Sequence, residues 1–104
     1  MSSARKPGGK QVAQRQFVVI NKLGIHARPA GHFVKTASKF SCDILVAKDG
    51  ETVNGKSIMG LMMLAAGYGS KVLVTCEGED CQQALEEIDA LFKRKFNEEE
   101  FDAK

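Results

Sequence analysis

The sequence of 104 residues lacks several features that mark particular protein classes. It has no apolar run near the length of about 20 residues that a membrane-spanning helix needs, and residues 1–16 contain no apolar segment of the kind found in secretory signals. The three cysteines, Cys42, Cys76 and Cys81, are odd in number and form no CxxC pair, which argues against a disulfide framework or a zinc site. We therefore expect a cytoplasmic protein with reduced thiols, no metal, no other cofactor and no membrane insertion.

Acidic residues are absent from the first 42 positions, where eight basic residues occur. Residues 77–104, in contrast, hold ten acidic and four basic residues. A basic half favours a phosphate, an acidic protein surface or a nucleic acid as partner. Nucleic acid is the weakest of these alternatives, because the chain has one tyrosine, no tryptophan and no aromatic-rich strand motif on which bases would stack. We expect no nucleic-acid partner.

Periodicity and turn residues predict the element order β-α-β-β-α-β-α. Three helices on one face of a four-stranded antiparallel sheet would give an α+β fold. The predicted strands are 16–21, 42–48, 51–54 and 71–76, and the predicted helices are 27–40, a short helix capped by Ser57, and a helix that begins with a capping box at Asp80 and Gln83. We expect a disordered tail at 1–14, a domain at 15–97 and a frayed acidic tail at 98–104.

Strand alternation makes part of the outer sheet surface apolar, because Val18, Ile20, Leu45 and Leu73 alternate with the residues that face the helices. Three explanations remain open from the sequence. The surface is used for self-association, the N-terminal tail folds back over it, or the predicted strand register is wrong. We expect a monomer.

The residues from Gly24 to Ala30, GIHARPA, place a histidine and an arginine two positions apart at the start of the first predicted helix. Unpaired backbone N–H groups and the positive end of the helix dipole favour anions there, and the Arg28 guanidinium offers donors suited to phosphate oxygens. Pro29 is tolerated in a first turn because the N–H groups there have no intrahelical partners. A neutral imidazole at His26 could attack phosphorus, and the same donors would stabilise the phosphorylated ring.

A histidine at a helix start is more often a cap or a surface residue, and that interpretation remains the alternative for His26. His32 lies six residues further along the same helix, which turns it to another side. We interpret His32 as a polar-face residue. Gly31 lies inside the helix, where glycine costs up to about 1 kcal/mol relative to alanine, and close approach of another chain is one possible reason.

The segments GIHARPAGHFVKTASKF and VNGKSIMGLMMLAAGYGS resemble the HPr family, the histidine-containing phosphocarriers of the bacterial phosphotransferase system. The resemblance covers roughly residues 15–95. It implies an open-faced β-sandwich, phosphorylation of His26 on Nδ1, stabilisation of the phosphoryl group by Arg28 and a turn shaped by Pro29. It implies enzyme I as donor and enzyme II A-domains as acceptors. A phosphocarrier of this kind forms a covalent intermediate and is not by itself a turnover enzyme.

Ser57 precedes the short helix, where serine is a preferred cap. The resemblance further implies that HPr kinase/phosphorylase could phosphorylate Ser57, because KSIMG is similar to one branch of the family. Ile58, Met59 and Met62 would then form an exposed contact surface with Lys35 and Lys56 at its rim, although methionines at helical spacing are more often core residues. A regulatory protein of carbon or nitrogen signalling, without a transport role, is the alternative function.

Overall fold

The secondary structure follows the predicted order. The computed structural model describes residues 11–97, and the expected acidic tail at 98–104 lies outside them. The elements are β1 (Val12–Val18), α1 (Ala27–Ala37), β2 (Asp43–Lys48), β3 (Glu51–Asn54), α2 (Ile58–Met63), β4 (Lys71–Glu77) and α3 (Cys81–Lys93), followed by one turn of 3-10 helix at Lys95–Asn97. The predicted α+β fold is confirmed, and no helix in this part of the chain is long and apolar enough to cross a membrane.

The four strands form one antiparallel sheet in the order β1-β4-β2-β3. The helices cover one face of this sheet, and the core lies between the two layers. Helix α3 supplies much of that core, because its apolar residues recur every three or four positions. Its buried side chains are Cys81, Ala84, Leu85, Ile88, Leu91 and Phe92. The Phe92 ring stacks on Phe17 of β1, with 4.5 Å between the ring centroids.

Strand β1 begins before the predicted strand at 16–21 and ends earlier. The predicted tail at 1–14 is therefore too long at its C-terminal end, because residues 12–14 pair with β4 from Val12 opposite Glu77 onwards. The sequence pattern did not predict a strand there because residues 14 to 16 are all polar. Two of the polar side chains of β1 have partners: the Gln14 amide donates to the Thr75 hydroxyl at 2.8 Å, and Arg15 pairs with Asp89. Residues 1–10 of the predicted tail lie outside the described residues.

The outer surface of the sheet, called here the open face, is partly apolar, as the alternation predicted. Val18, Ile20, Leu45 and Leu73 are between 36% and 44% exposed, whereas Phe17, Val19 and Val72 are buried on the helix side. A register error is therefore not the explanation. The apolar open face is a property of this fold.

The predicted capping box at Asp80 is wrong. Asp80 occupies the N-cap position of α3, but its side chain makes no cap hydrogen bond. Its carboxylate instead accepts hydrogen bonds from the backbone N–H of Ser41 at 2.8 Å and of Cys42 at 2.9 Å. These hydrogen bonds lower the pKa of Asp80, because they favour the charged carboxylate. Asp80 thus ties the start of α3 to the turn that leads into β2.

Candidate functional site

His26 stands immediately before α1, at its N-cap position, with extended backbone angles of φ −97° and ψ −164°. Its carbonyl accepts the N–H of Ala30 at 2.9 Å, which closes the first turn of the helix. Its side chain makes no cap hydrogen bond, and the residue is only partly buried. The structure therefore places the imidazole at the helix start without using it as a cap, which excludes the cap but not the plain surface residue of the alternative interpretation.

The first turn of α1 has few backbone donors left for an anion. Pro29 carries no N–H, and the N–H of Ala30 is bonded to His26. Among residues 11–97, the amides of Ala27 and Arg28 have no backbone hydrogen-bond partner, and they lie at the positive end of the helix dipole. Pro29 is fully buried, which fixes this turn against the core, whereas Arg28 is exposed. Arg28 makes no ion pair or side-chain hydrogen bond within residues 11–97, so no partner in this part of the chain occupies its guanidinium, two residues after His26.

The loop before His26 is fixed by the loop between α2 and β4. The backbone N–H of Ile25 donates to the carbonyl of Ala66 at 2.8 Å. Gly24 has φ +74°, and a Cβ built on it would lie 2.7 Å from both Ala66 O and Gly67 Cα. Only glycine fits such a close approach of two backbones at this φ. The position of His26 therefore depends on residues 66 and 67, which lie 40 positions away in the chain.

Ser57 is the N-cap of α2, as predicted, and its hydroxyl accepts the N–H of Gly60 at 3.0 Å. Lys56 was predicted at the rim of the contact surface. Its ammonium donates to the Phe40 carbonyl at 2.7 Å, near the end of α1, and the residue is half-buried. This hydrogen bond ties the segment before α2 to the end of α1, so Lys56 has a structural partner that the sequence did not reveal.

Helix α2 leaves most of its long apolar side chains exposed. Ile58 and Met62 are 42% and 44% exposed, and Met59 and Met63 are each 72% exposed, while Leu61 is buried against the core. Lys35, on α1, is also exposed. Of the five residues predicted for docking, Ile58, Met59, Met62 and Lys35 therefore lie at the surface.

The sequence did not single out three residues around this site. Leu23 and Tyr68 are 75% and 70% exposed, and they lie on the two loops whose backbones meet at Gly24. Asn21 is fully buried and donates from Nδ2 to the Gly24 carbonyl at 2.6 Å. The available signal was an asparagine three residues before a glycine, but the run 16–21 was interpreted as a strand. Among residues 11–97, no group of three His, Cys, Asp or Glu side chains is arranged to hold a metal ion.

Comparison with known proteins identifies relatives over most of the chain. A family model described as the PTS HPr component phosphorylation site matches residues 13–94. The phosphocarrier protein HPr of Xylella fastidiosa strain 9a5c is 42% identical over 86 residues, which are 83% of this chain and 97% of that protein. The HPr-like protein Crh of Bacillus subtilis strain 168 is 47% identical over 79 residues, which are 76% of this chain and 93% of that protein.

The fold is similar to a solved structure as well. The crystal structure of HPr-C-His from Thermoanaerobacter tengcongensis matches with a TM-score of 0.80 and 46% sequence identity, covering 84% of this chain and 98% of that chain. The span matched by the family model contains every residue predicted for the site, from His26 to Met62.

Proposed function

Because this chain belongs to the HPr family, we propose that it accepts a phosphoryl group from phospho-enzyme I on His26 and passes it to enzyme II A-domains during sugar uptake. The observation that carries this proposal is the position of His26 at the start of α1, with its side chain not used as the helix cap. The exposed Arg28 lies two residues away on the same turn.

The proposed transfer needs no base from the protein. The lone pair of a neutral ring nitrogen forms the bond to phosphorus while the bond between phosphorus and the donor breaks. The amides of Ala27 and Arg28 and the Arg28 guanidinium then stabilise the negative charge of the phosphoryl group. Pro29 contributes by holding the first turn against the core, where it is fully buried. In the second transfer the same ring is the leaving group.

Partner docking is proposed for the exposed side of α2 together with Lys35. Ile58, Met59 and Met62 offer flexible apolar side chains that adapt to more than one partner, as a carrier between a donor and several acceptors requires. Lys35, which is exposed on α1, is proposed to add a positive charge at the edge of this surface. Lys56 contributes by fixing the segment before α2 through its hydrogen bond to Phe40.

Regulation is proposed at Ser57, with HPr kinase/phosphorylase as the partner. A phosphate there would lie at the N-terminus of α2, beside Ile58 and Met59 of the docking surface. The added charge would repel acidic partner residues and slow the phosphorylation of His26. Incubation with HPr kinase and ATP should give an acid-stable phosphate that is absent from Ser57→Ala. Transfer from enzyme I to Ser57→Asp at the wild-type rate would disprove the repulsion.

A purely regulatory role is the second candidate. It is favoured by the 47% identity to Crh of Bacillus subtilis, which is as high as the identity to relatives named phosphocarriers. The two roles differ in the acceptor. A carrier passes phosphate from His26 to an enzyme II A-domain, whereas a regulator acts through Ser57 and needs no such acceptor. Phosphate transfer to purified A-domains therefore separates them.

The experiment that tests the carrier function is mass spectrometry of the protein after incubation with enzyme I and phosphoenolpyruvate. We expect one acid-labile phosphate in the wild type and in His32→Ala, and none in His26→Ala. His32 is a suitable control because it is the other histidine of the chain and lies on the same helix. Arg28→Ala should accept phosphate more slowly than Arg15→Ala, whose arginine pairs with Asp89 on α3. Label that persists in His26→Ala would refute the proposal.

A further inference from the structure

Asn21 is a polar side chain inside the molecule, with 0% of its surface exposed. Burying an amide costs free energy unless its hydrogen-bonding groups are satisfied, and within residues 11–97 the side-chain hydrogen bond of Asn21 is made by Nδ2 and not by Oδ1. Its Nδ2 donates to the carbonyl of Gly24 at 2.6 Å, and its own backbone carbonyl accepts the N–H of Gly24 at 3.0 Å. Asn21 thus closes the loop from residue 21 to residue 24 through both its side chain and its backbone.

The Gly24 carbonyl also accepts the backbone N–H of His26, at 3.1 Å. A carbonyl oxygen has two lone pairs, and here Asn21 and His26 each supply a donor. The other side of the same peptide group is fixed too, because the N–H of Ile25 donates to Ala66 at 2.8 Å. The peptide group between Gly24 and Ile25, one residue before His26, is therefore held at both its oxygen and its nitrogen.

We propose that Asn21 is a positioning residue for His26: by holding the Gly24 carbonyl, it sets the backbone from which the imidazole projects at the start of α1. This inference rests on the proposed phosphorylation of His26. Since Asn21 is fully buried, it cannot touch a partner protein. Its effect therefore reaches the transfer step through the loop that carries His26 and not through contact with the partner.

The test is the kinetics of phosphoryl transfer from enzyme I and phosphoenolpyruvate to Asn21→Ala and Asn21→Leu. Both variants remove the Nδ2 donor, and Asn21→Leu keeps the approximate size and shape of the side chain without introducing a buried charge. We expect the rate at saturating enzyme I to fall about tenfold with KM within twofold of wild type, because misplacing a reacting group by about an ångström costs up to roughly 100-fold.

The control variant is Cys76→Ala. Cys76 is buried on β4 next to Ala13 and Ile44, five residues along the strand from Lys71, the end nearer to the His26 loop. The Cys76→Ala substitution should lower the stability of the protein without altering that loop. Phosphoryl-transfer rates are compared at a temperature at which circular dichroism shows that all variants are folded. A rate within twofold of wild type in both Asn21 variants, or an equal slowing in Cys76→Ala, would overturn the inference.

Hydrogen exchange gives a readout that does not depend on transfer. The amide of His26 should exchange faster in both Asn21 variants, relative to the amide of Ala30 in the first turn of α1. Unchanged exchange of the His26 amide would overturn the positioning role. If the wild type accepts no phosphate, the proposed function fails, and the exchange measurement alone then decides whether Asn21 holds the His26 backbone.

Discussion

The close approach of two loops at Gly24 leads to a quantitative prediction for Gly24→Ala. The new Cβ would lie 2.7 Å from Ala66 O and Gly67 Cα, where ordinary contacts begin near 3.4 Å. Two backbones must therefore separate by several tenths of an ångström, which weakens the hydrogen bond from Ile25 to Ala66. A non-glycine residue at φ +74° adds about 1–2 kcal/mol, and loss of the hydrogen bond adds about 1 kcal/mol.

We expect Gly24→Ala to lower the free energy of unfolding by about 2–4 kcal/mol, the sum of the backbone strain, the lost hydrogen bond and the displaced contact. The matched control is Gly50→Ala. Gly50 has φ +86° in the turn between β2 and β3, but nothing lies within 4 Å of its would-be Cβ. It should show the backbone strain alone, about 1–2 kcal/mol. Urea denaturation measures both values, and equal losses in the two variants would refute the argument from close approach.

Three further predictions concern other parts of the fold. Gly31→Ala should stabilise the protein by roughly 0.5–1 kcal/mol in urea denaturation, because nothing lies within 4 Å of the new Cβ; a loss of stability would contradict this. Hydrogen bonds from the backbone amides of Ser41 and Cys42 lower the pKa of Asp80. The stability that the Asp80 carboxylate contributes is therefore complete above the unfolded carboxyl pKa of about 3.9, and it is lost as pH falls through the lower pKa of the folded state. The stability difference between wild type and Asp80→Asn should therefore shrink between pH 7 and pH 3, and a constant difference would disprove it. Burial raises the pKa of Cys42 to about 12 and of Cys76 to about 11. Neither thiol should therefore react with iodoacetamide at pH 8 until urea unfolds the protein. Modification of either cysteine in the native protein would contradict this.

Local signals in the sequence were enough to predict several elements. The helical spacing of Ala30, Phe33 and Ala37 correctly predicted α1 and its buried face. The Asp49-Gly50 turn correctly predicted the β2–β3 hairpin, and both residues adopt the positive φ that such a turn uses. Ser57 caps α2 as expected because its partner, the amide of Gly60, is only three residues away. In each case the residues that determine the conformation are neighbours in the chain.

The predictions that failed depend on contacts between distant residues. Asp80 has the sequence pattern of a helix cap, yet its carboxylate binds amides at 41 and 42, which the fold brings close. The hydrogen bond from Lys56 to the carbonyl of Phe40 could not be predicted for the same reason, and the predicted role of Lys56 in docking stays a prediction. Around His26, the motif predicted a role for the histidine and its arginine, whereas the role proposed for Asn21 depends on how the loop closes against Ala66. An asparagine three residues before a glycine does not by itself indicate that closure.

The central claim is that the imidazole at the start of α1 carries the phosphoryl group. It is tested most directly by nuclear magnetic resonance of protein labelled with 15N in its two histidines, after incubation with enzyme I and phosphoenolpyruvate at neutral or higher pH. Coupling between phosphorus and nitrogen identifies the modified ring and the modified atom. We predict one phosphoryl group, on Nδ1 of His26. A phosphoryl group on His32, or on neither histidine, would contradict the account.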